Sequence, residues 1–336
     1  MTTANVCRVR RGLKLSFRLL QELDFPVTEI LTISRVFPHV FATFPYETVD
    51  VLPTDRRDLV AIVSKDRDEA IREFDEHNGR IVAAFTPRDT GLRKSHLGNR
   101  HNLPSGVVAA FATNNELDDS RVVSMPLGVR MKNLRVLQRS RQDRRSSRTG
   151  LVYGNFATVD GLYPSSADGT PHIRVQLAER LRQSSWMNLD LNPLPRSDAN
   201  ELERYYSKIA QHKFVLSPPG RGIDCYRTWE SLYLGAIPIV VDSAPMAAFR
   251  ELPILFTKDY SELSQEYLED SWRQMSARSY EIARMLRSWY FDKFMEAVAG
   301  LDSPRFVFLA NDARLMEFGE SWLREARTAR DWFGEA

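Results

Sequence analysis

The chain has 336 residues, 43% hydrophobic and 27% charged, with a net charge of +2. That near-neutral balance excludes a global field for nucleic acid or an acidic partner, and the composition is that of a folded chain rather than a disordered one. Two cysteines, Cys7 and Cys225, give neither a disulfide framework nor a four-ligand zinc site, and the length suits two domains of about 150 residues each.

The chain opens with MTTANVCRVRRGLKLSFRLL, in which Lys14 and Arg18 interrupt the apolar positions. It has neither the clean apolar centre of a leader nor a span of about 20 apolar residues. The expected location is cytoplasmic. The basic amphipathic start fits peripheral contact with the inner face of a membrane, or simply a first strand or helix of the N-terminal domain.

Short apolar runs then alternate with polar connections. Strands are expected at Val27–Ser34, Leu59–Val63, Arg80–Phe85, Val107–Ala112 and Val122–Met125, and a helix at Asp66–Glu76 with Ala70, Ile71 and Phe74 as its apolar stripe. This alternation is the pattern of an α/β sheet. The run Met131–Ser147 is arginine-rich, with Arg135, Arg139, Arg141, Arg144 and Arg145, and reads as a solvated connection between domains. A second domain is expected to open with the strand Leu151–Phe156, followed by helices near Pro171–Gln183 and Glu201–Ala210. The tail from Ser276 is rich in helix formers and aromatics.

The stretch from His212 to Val240 carries the most information. It reads HKFVLSPPGRGIDCYRTWESLYLGAIPIV. A strand (Phe214–Leu216) enters a Pro/Gly loop, a short helix follows, and a second strand begins at Ile237. Gly220 and Gly222 can take positive φ and let backbone N–H groups approach a ligand. Asp224 is a good N-cap, and the first helical turn then favours an anion. Arg227 and Glu230 share a helix side: the first suits a phosphate, and the second can accept ribose hydroxyls. The plainer alternative is a surface ion pair beside an ordinary turn. Tyr226, Trp229 and Tyr233 look like the core face, Gly235 suits the residue after the helix, and Pro238 stops the helix from continuing.

This stretch resembles the nucleotide-binding segment of exostosin-like glycosyltransferases through Pro218, Pro219, Gly220, Gly222, Asp224, Arg227, Trp229, Glu230, Gly235 and Pro238. FATNN (Phe111–Asn115), VVSMPLGV (Val122–Val129) and LVYGNF (Leu151–Phe156) extend the likeness, which covers residues 80–270. The resemblance implies a GT-B fold, with two Rossmann-like domains facing across a cleft. Residues 1–148 would bind the acceptor and 149–300 the nucleotide-sugar, while helices in 301–336 would brace the N-terminal domain. It further implies donor binding by Arg227 (diphosphate), Glu230 (ribose), Gly220, Arg221, Gly222, Asp224, Arg174 and Asn155. Asn114 and Asn115 would bind a glycan-type acceptor, and Asp89 would be the base, with His96, His101 and Glu116 as alternatives.

Many retaining relatives carry a glutamate eight residues before the position of Glu230. Gly222 stands there instead, so an inverting mechanism is expected. No metal or other cofactor is implied, since the donor is a substrate and the nucleoside diphosphate a product. Asp118-Asp119 reads as a solvated pair. A catalytically inactive nucleotide- or glycan-binding relative is the alternative, because Thr86-Pro87-Arg88-Asp89 departs from the family's His-Asn-x-Asp. A Rossmann-like oxidoreductase lacks its GxGxxG.

Overall fold

The computed structural model describes residues 14–22, 46–86, 91–130, 133–142, 148–158, 172–191 and 198–310. Among these, the chain begins with β1 (Lys14–Ser16), α1 (Phe17–Glu22), β2 (Glu47–Val49), β3 (Leu59–Val63), α2 (Arg67–Glu76), β4 (Ile81–Phe85), β5 (Val107–Thr113) and β6 (Val122–Met125). It continues through α3 (Leu134–Gln142), β7 (Gly150–Asn155), α4 (Ile173–Leu181), β8 (Met187–Asp190), α5 (Ala199–Gln211), β9 (His212–Leu216) and α6 (Tyr226–Tyr233). It then runs through β10 (Ile237–Val241), α7 (Ala244–Ala247), β11 (Leu255–Thr257), α8 (Gln265–Ser276), β12 (Ser279–Glu281), α9 (Arg287–Ala299) and β13 (Arg305–Leu309). The expected strand Val27–Ser34 falls outside the described residues.

The chain divides into two units, and each draws on two separate stretches. One comprises Met1–Leu31 with Leu127–Leu286, the other Thr32–Pro126 with Arg287–Ala336. Each unit holds an all-parallel sheet, and the α/β class with two Rossmann-like sheets is as the sequence implied.

The sheet of the Thr32–Pro126 unit runs β2-β13-β3-β4-β5-β6. Its central strands, LVAIV and IVAAF, are buried at every position. Such unbroken apolar runs are what a parallel sheet covered on both faces requires. β13 inserts between β2 and β3, pairing Arg305 with Leu59 through to Leu309 with Val63. α9 packs on β5 through Phe294 and Phe111, 5.3 Å apart. The tail segment 287–309 therefore completes this sheet with a strand as well as a helix. The bracing helices expected beyond it lie outside the described residues.

The sheet of the Leu127–Leu286 unit runs β11-β10-β9-β7-β8. Counted within the unit, this is the order 2-1-3-4-5 from the β8 edge. The order reverses between β7 and β9, and in open α/β sheets ligands bind outside the carboxyl ends of the strands at such a switch point. A two-stranded antiparallel ribbon of β1 and β12 sits beside this sheet, with Phe17 edge-on to Trp272 at 5.5 Å. Lys14–Ser16 thus joins the unit that carries the nucleotide-like segment.

The unit also begins earlier than residue 149. α3, in the stretch read as a solvated connection, buries Leu134, Val136 and Leu137 and packs on α5. Its Arg141 is buried, with its guanidinium 4.6 Å above the Tyr233 ring. Among its described residues, Arg135 and Arg139 are exposed, as a linker would have them. The buried positions 134, 137 and 141 keep helical spacing.

Candidate functional site

The carboxyl ends of β7 and β9 bring together most of the residues that the sequence singled out. Asn155 is the last residue of β7, and Gly154 pairs with Leu216 at the end of β9. Beyond Leu216 come Ser217, Pro218 and Pro219, followed by α6 from Tyr226. Arg174, in the first turn of α4, reaches the same loop. Its Nε donates to the Pro219 carbonyl at 2.8 Å and an Nη to the Pro218 carbonyl at 3.2 Å. One guanidinium thereby fixes the backbone of both prolines.

The loop is knitted further by side chains. The Ser217 hydroxyl lies 2.9 Å from that of Thr228 and 3.1 Å from the Cys225 sulfur. Tyr260, fully buried, points its hydroxyl toward the Ser217 carbonyl at 3.5 Å. Burial pushes its phenol pKa up and the neighbouring Cys225 adds to the rise, while Arg227 and Arg174 pull the other way. Both guanidinium groups therefore act on one point beside the loop.

Arg227 is buried, with 5% of its surface exposed, and its Nε and Nη1 have no hydrogen-bond partner. Asn155 is fully buried, and both ends of its carboxamide are likewise unpartnered. Lys65 in the other unit shows how a buried cation is ordinarily satisfied: it meets Glu73, Glu69 at 3.1 Å and the Asp50 carbonyl at 2.9 Å. A buried donor left unmatched costs about 1–3 kcal/mol, and more when charged. Unmatched donors at a switch point are the signature of a place prepared for a ligand. The guanidinium calls for an anion, and the carboxamide for a group that both donates and accepts.

Several expectations for this segment are corrected by its packing. Neither Gly220 nor Gly222 adopts positive φ. Gly235 does, at 76°, where α6 ends. Asp224 is not the N-cap of α6: Cys225 is, and its side chain caps no backbone N–H of the helix. The Asp224 carboxylate turns inward instead, accepting from the Trp229 indole at 2.8 and 2.9 Å and from the Leu127 N–H at 2.6 Å. It ties the start of α6 to the residue where the chain enters the unit. Arg227 and Glu230 form no surface ion pair. Glu230 is fully buried, and its two oxygens accept the hydroxyls of Tyr205 and Tyr206 on α5, each at 3.0 Å. Arg221 stands exposed on the loop.

Complete burial raises the Asp224 pKa from 3.8 to about 7 against the pull of its N–H donors. Between those two values the folded chain holds a proton that the unfolded chain releases. This group's contribution to stability is therefore greatest below pH 3.8 and is lost as pH rises to 7. Across that window the loss is on the order of 4 kcal/mol at about 1.4 kcal/mol per unit. Urea unfolding of the wild type and Asp224→Asn should show the difference between them shrinking from pH 5 to pH 7. Parallel pH dependences would contradict this.

In the other unit, Asn114 (φ 48°) and Asn115 follow β5, and both are buried. The Asn115 carboxamide is spent on its own turn, accepting from Leu117 N–H at 3.0 Å and donating to the Leu117 carbonyl and the Ser124 hydroxyl. Gly91 lies so close that a Cβ there would sit 1.9 Å from the Asn114 carbonyl oxygen. His96 accepts the Arg93 N–H on Nδ1 at 3.0 Å, and burial followed by Arg67 lowers its pKa. Its proton then sits on Nε2, and neither ring nitrogen is free to take another. Glu116 meets Arg93 at 3.3 Å. Asp89 lies outside the described residues.

Asp119 is not solvated. It is buried and clamped by Arg121, apart from the exposed Asp118. Among the described residues no three His, Cys, Asp or Glu side chains gather as a metal site, and no helix is long and apolar enough to cross a membrane.

Named relatives match part of the chain. Ribitol-5-phosphate xylosyltransferase 1 of Homo sapiens is 23% identical over 172 residues, covering 41% of this chain and 39% of the human one. The Danio rerio protein of that name is 28% identical over 111 residues, 29% of this chain and 25% of its own. The matched part thus spans well under half the length of these relatives. The crystal structure of an α1,3-fucosyltransferase with GDP-fucose aligns over 87% of this chain and 96% of its own, at 11% identity and a TM-score of 0.31. The model of the RXYLT1 C-terminal domain family matches residues 132–300. That span covers half of the chain and contains Asn155, Arg174, the Pro/Gly loop, Arg227 and Glu230, and on this basis the chain belongs to the RXYLT1 C-terminal domain family.

Proposed function

We propose that the chain is a glycosyltransferase that binds a nucleotide-sugar where β7 and β9 end and transfers the sugar, with inversion, to a hydroxyl of a glycan or polyol-phosphate acceptor. The observation that carries this reading is the pair of buried, unmatched groups at that point, the Arg227 guanidinium and the Asn155 carboxamide. The exostosin-like character of His212–Val240 and the xylosyltransferase names of the relatives support it.

The roles follow from the chemistry. Inverting transfer is an in-line displacement, in which an acceptor hydroxyl attacks the anomeric carbon as the diphosphate leaves. The leaving charge needs prearranged positive partners. Arg227 supplies them directly and the first turn of α6 adds its N–H groups, while Arg174 holds the Pro218-Pro219 backbone in place. The fully buried Asn155 offers one acceptor and two donors, which suits neighbouring hydroxyls of the donor. Glu230 reaches a ribose only by sharing oxygens that already hold two tyrosines. Asp89 remains the proposed base, on the strength of the resemblance alone.

A thermal-shift series against UDP, GDP, dTDP, CDP and CMP tests the reading, because a ligand at about 100 times its Kd stabilises by about 2.7 kcal/mol. One nucleoside diphosphate is expected to raise the melting temperature, and its sugar conjugate to be turned over. Five flat curves would remove the proposal.

A further inference from the structure

The Leu127–Leu286 unit holds a cavity at the opposite end of its strands from the nucleotide loop. Its volume is about 450 Å³, within the range of small-ligand sites. Its floor is made by Gly150 and Val152 of β7, Met187 of β8 and His212 of β9, all at or near the strand beginnings. β9 starts in this cavity and ends at Leu216, just before the nucleotide loop. At about 3.3 Å per residue the two places are ~13 Å apart, so the cavity is no extension of the first site.

Its charges are largely spent. Arg148 caps the ends of α5 and α6, donating to the carbonyls of Ala210 at 2.9 Å, His212 at 2.6 Å and Leu234 at 2.7 Å. His212 lies against β7, where a Cβ on Gly150 would come within 2.2 Å of its ring. Its Nδ1 meets the Lys208 carbonyl at 2.6 Å and burial lowers its pKa, so the imidazole is neutral. Lys213 lies with its ammonium 5.6 Å from the centre of the Trp272 ring, and Glu269 is on the same lining. Lys213 apart, an anion would find no cation on this lining that is not already engaged.

What the walls do offer is an aromatic plate and planar polar groups. Trp186 is partly exposed, in the turn before β8. Gln265 donates to Glu269 at 2.9 Å, which sets a carboxamide beside a carboxylate at the start of α8. Asn188 is exposed on the same lining. Aromatic faces hold the C–H side of a pyranose, and side-chain amides and carboxylates bond its hydroxyls. We propose that this cavity binds a neutral sugar residue of a glycan, with Trp186 as the stacking surface and Asn188, Gln265 and Glu269 as hydroxyl partners. A glycan anchored there is held to the unit away from the reacting centre, which raises its local concentration without entering the chemistry.

Saturation-transfer NMR with the methyl glycosides of xylose, glucose, galactose and N-acetylglucosamine tests this, with inorganic phosphate in a parallel titration. At least one glycoside should receive saturation. The signal should fall at least fivefold in Trp186→Ala and clearly in Gln265→Ala, and persist in Arg227→Ala. Both Gln265 and Asn188 are exposed, so Gln265→Ala and Asn188→Ala decide the matter if Trp186→Ala does not fold. No transfer to any glycoside overturns the proposal. So does transfer that survives the cavity variants, or transfer that disappears with Arg227→Ala, or a cavity that takes phosphate instead. Because the nucleotide reading is scored by melting shifts and this one by sugar signals, either can fail alone.

Discussion

Arg227→Ala is expected to weaken nucleoside-diphosphate binding by about 1.5–3 kcal/mol, or roughly 10- to 150-fold, while leaving the empty protein at least as stable as before. The two halves of this result have one cause. The guanidinium is buried with Nε and Nη1 unmatched, so the ligand-free fold carries a largely desolvated cation with two nitrogens unsatisfied. Removing it relieves a desolvation cost of several kcal/mol and forfeits the packing of a three-carbon stem. Arg174, the other guanidinium close to Tyr260, already bonds the Pro218 and Pro219 carbonyls, so the loop keeps its shape. Calorimetry with the diphosphate that scores in the thermal series measures the first half and the melting temperature without ligand the second. An unchanged affinity removes the phosphate role. A large fall in melting temperature would show that the side chain is structural. Arg227→Lys should recover only part of the affinity, because an ammonium cannot present a planar fork.

The double variant Tyr205→Phe with Tyr206→Phe should lose about 3–6 kcal/mol of stability. Each hydroxyl donates to one oxygen of the fully buried Glu230, and a hydrogen bond to a charged group contributes about 1.5–3 kcal/mol. Without them the carboxylate is stranded in the core. The three groups hold α5 to α6, so the loss should appear as a lower urea midpoint rather than as local fraying. Adding Glu230→Leu should restore most of it, because replacing every partner with apolar groups is close to neutral. A double variant as stable as the wild type would show that the carboxylate is satisfied elsewhere. Nucleotide affinity in the restored triple variant then reports whether Glu230 also touches the ligand.

The parallel strands of the sheet β2-β13-β3-β4-β5-β6 were legible where they are continuous apolar runs, as at Leu59–Val63 and Ile81–Phe85, because burial on both faces leaves no other composition. The strand, loop and helix around Arg227 were legible for the same local reasons. What was not legible depends on partners far away in sequence. Asp224 carries the composition of a cap, yet its carboxylate is claimed by Trp229 and by Leu127, 97 residues earlier. The acidity of Glu230 announces a ligand or an ion pair, and two tyrosines of the preceding helix take it instead. α3 hides a buried face behind exposed arginines, and β1 joins β12 some 265 residues away, Ser16 to Ser279 being one register pair. Glycine at 220 and 222 suggested positive φ, whereas the loop is shaped by Arg174 gripping two proline carbonyls, an interaction with no local signature.

The place of β13 sets a timetable for synthesis. It fills the gap between β2 and β3, yet its residues, Arg305–Leu309, are made after the whole of the Leu127–Leu286 stretch. Until they emerge, Leu59–Val63 has a partner in β4 on one side and a bare apolar edge on the other. Bare edges of that composition recruit other chains. The sheet whose other strands are made before Leu127 is thus the last to close, and it is the one to shield while the chain grows. A polypeptide stopped at residue 300, where the family match ends, would keep every residue around Arg227 and still be expected to aggregate through the other sheet.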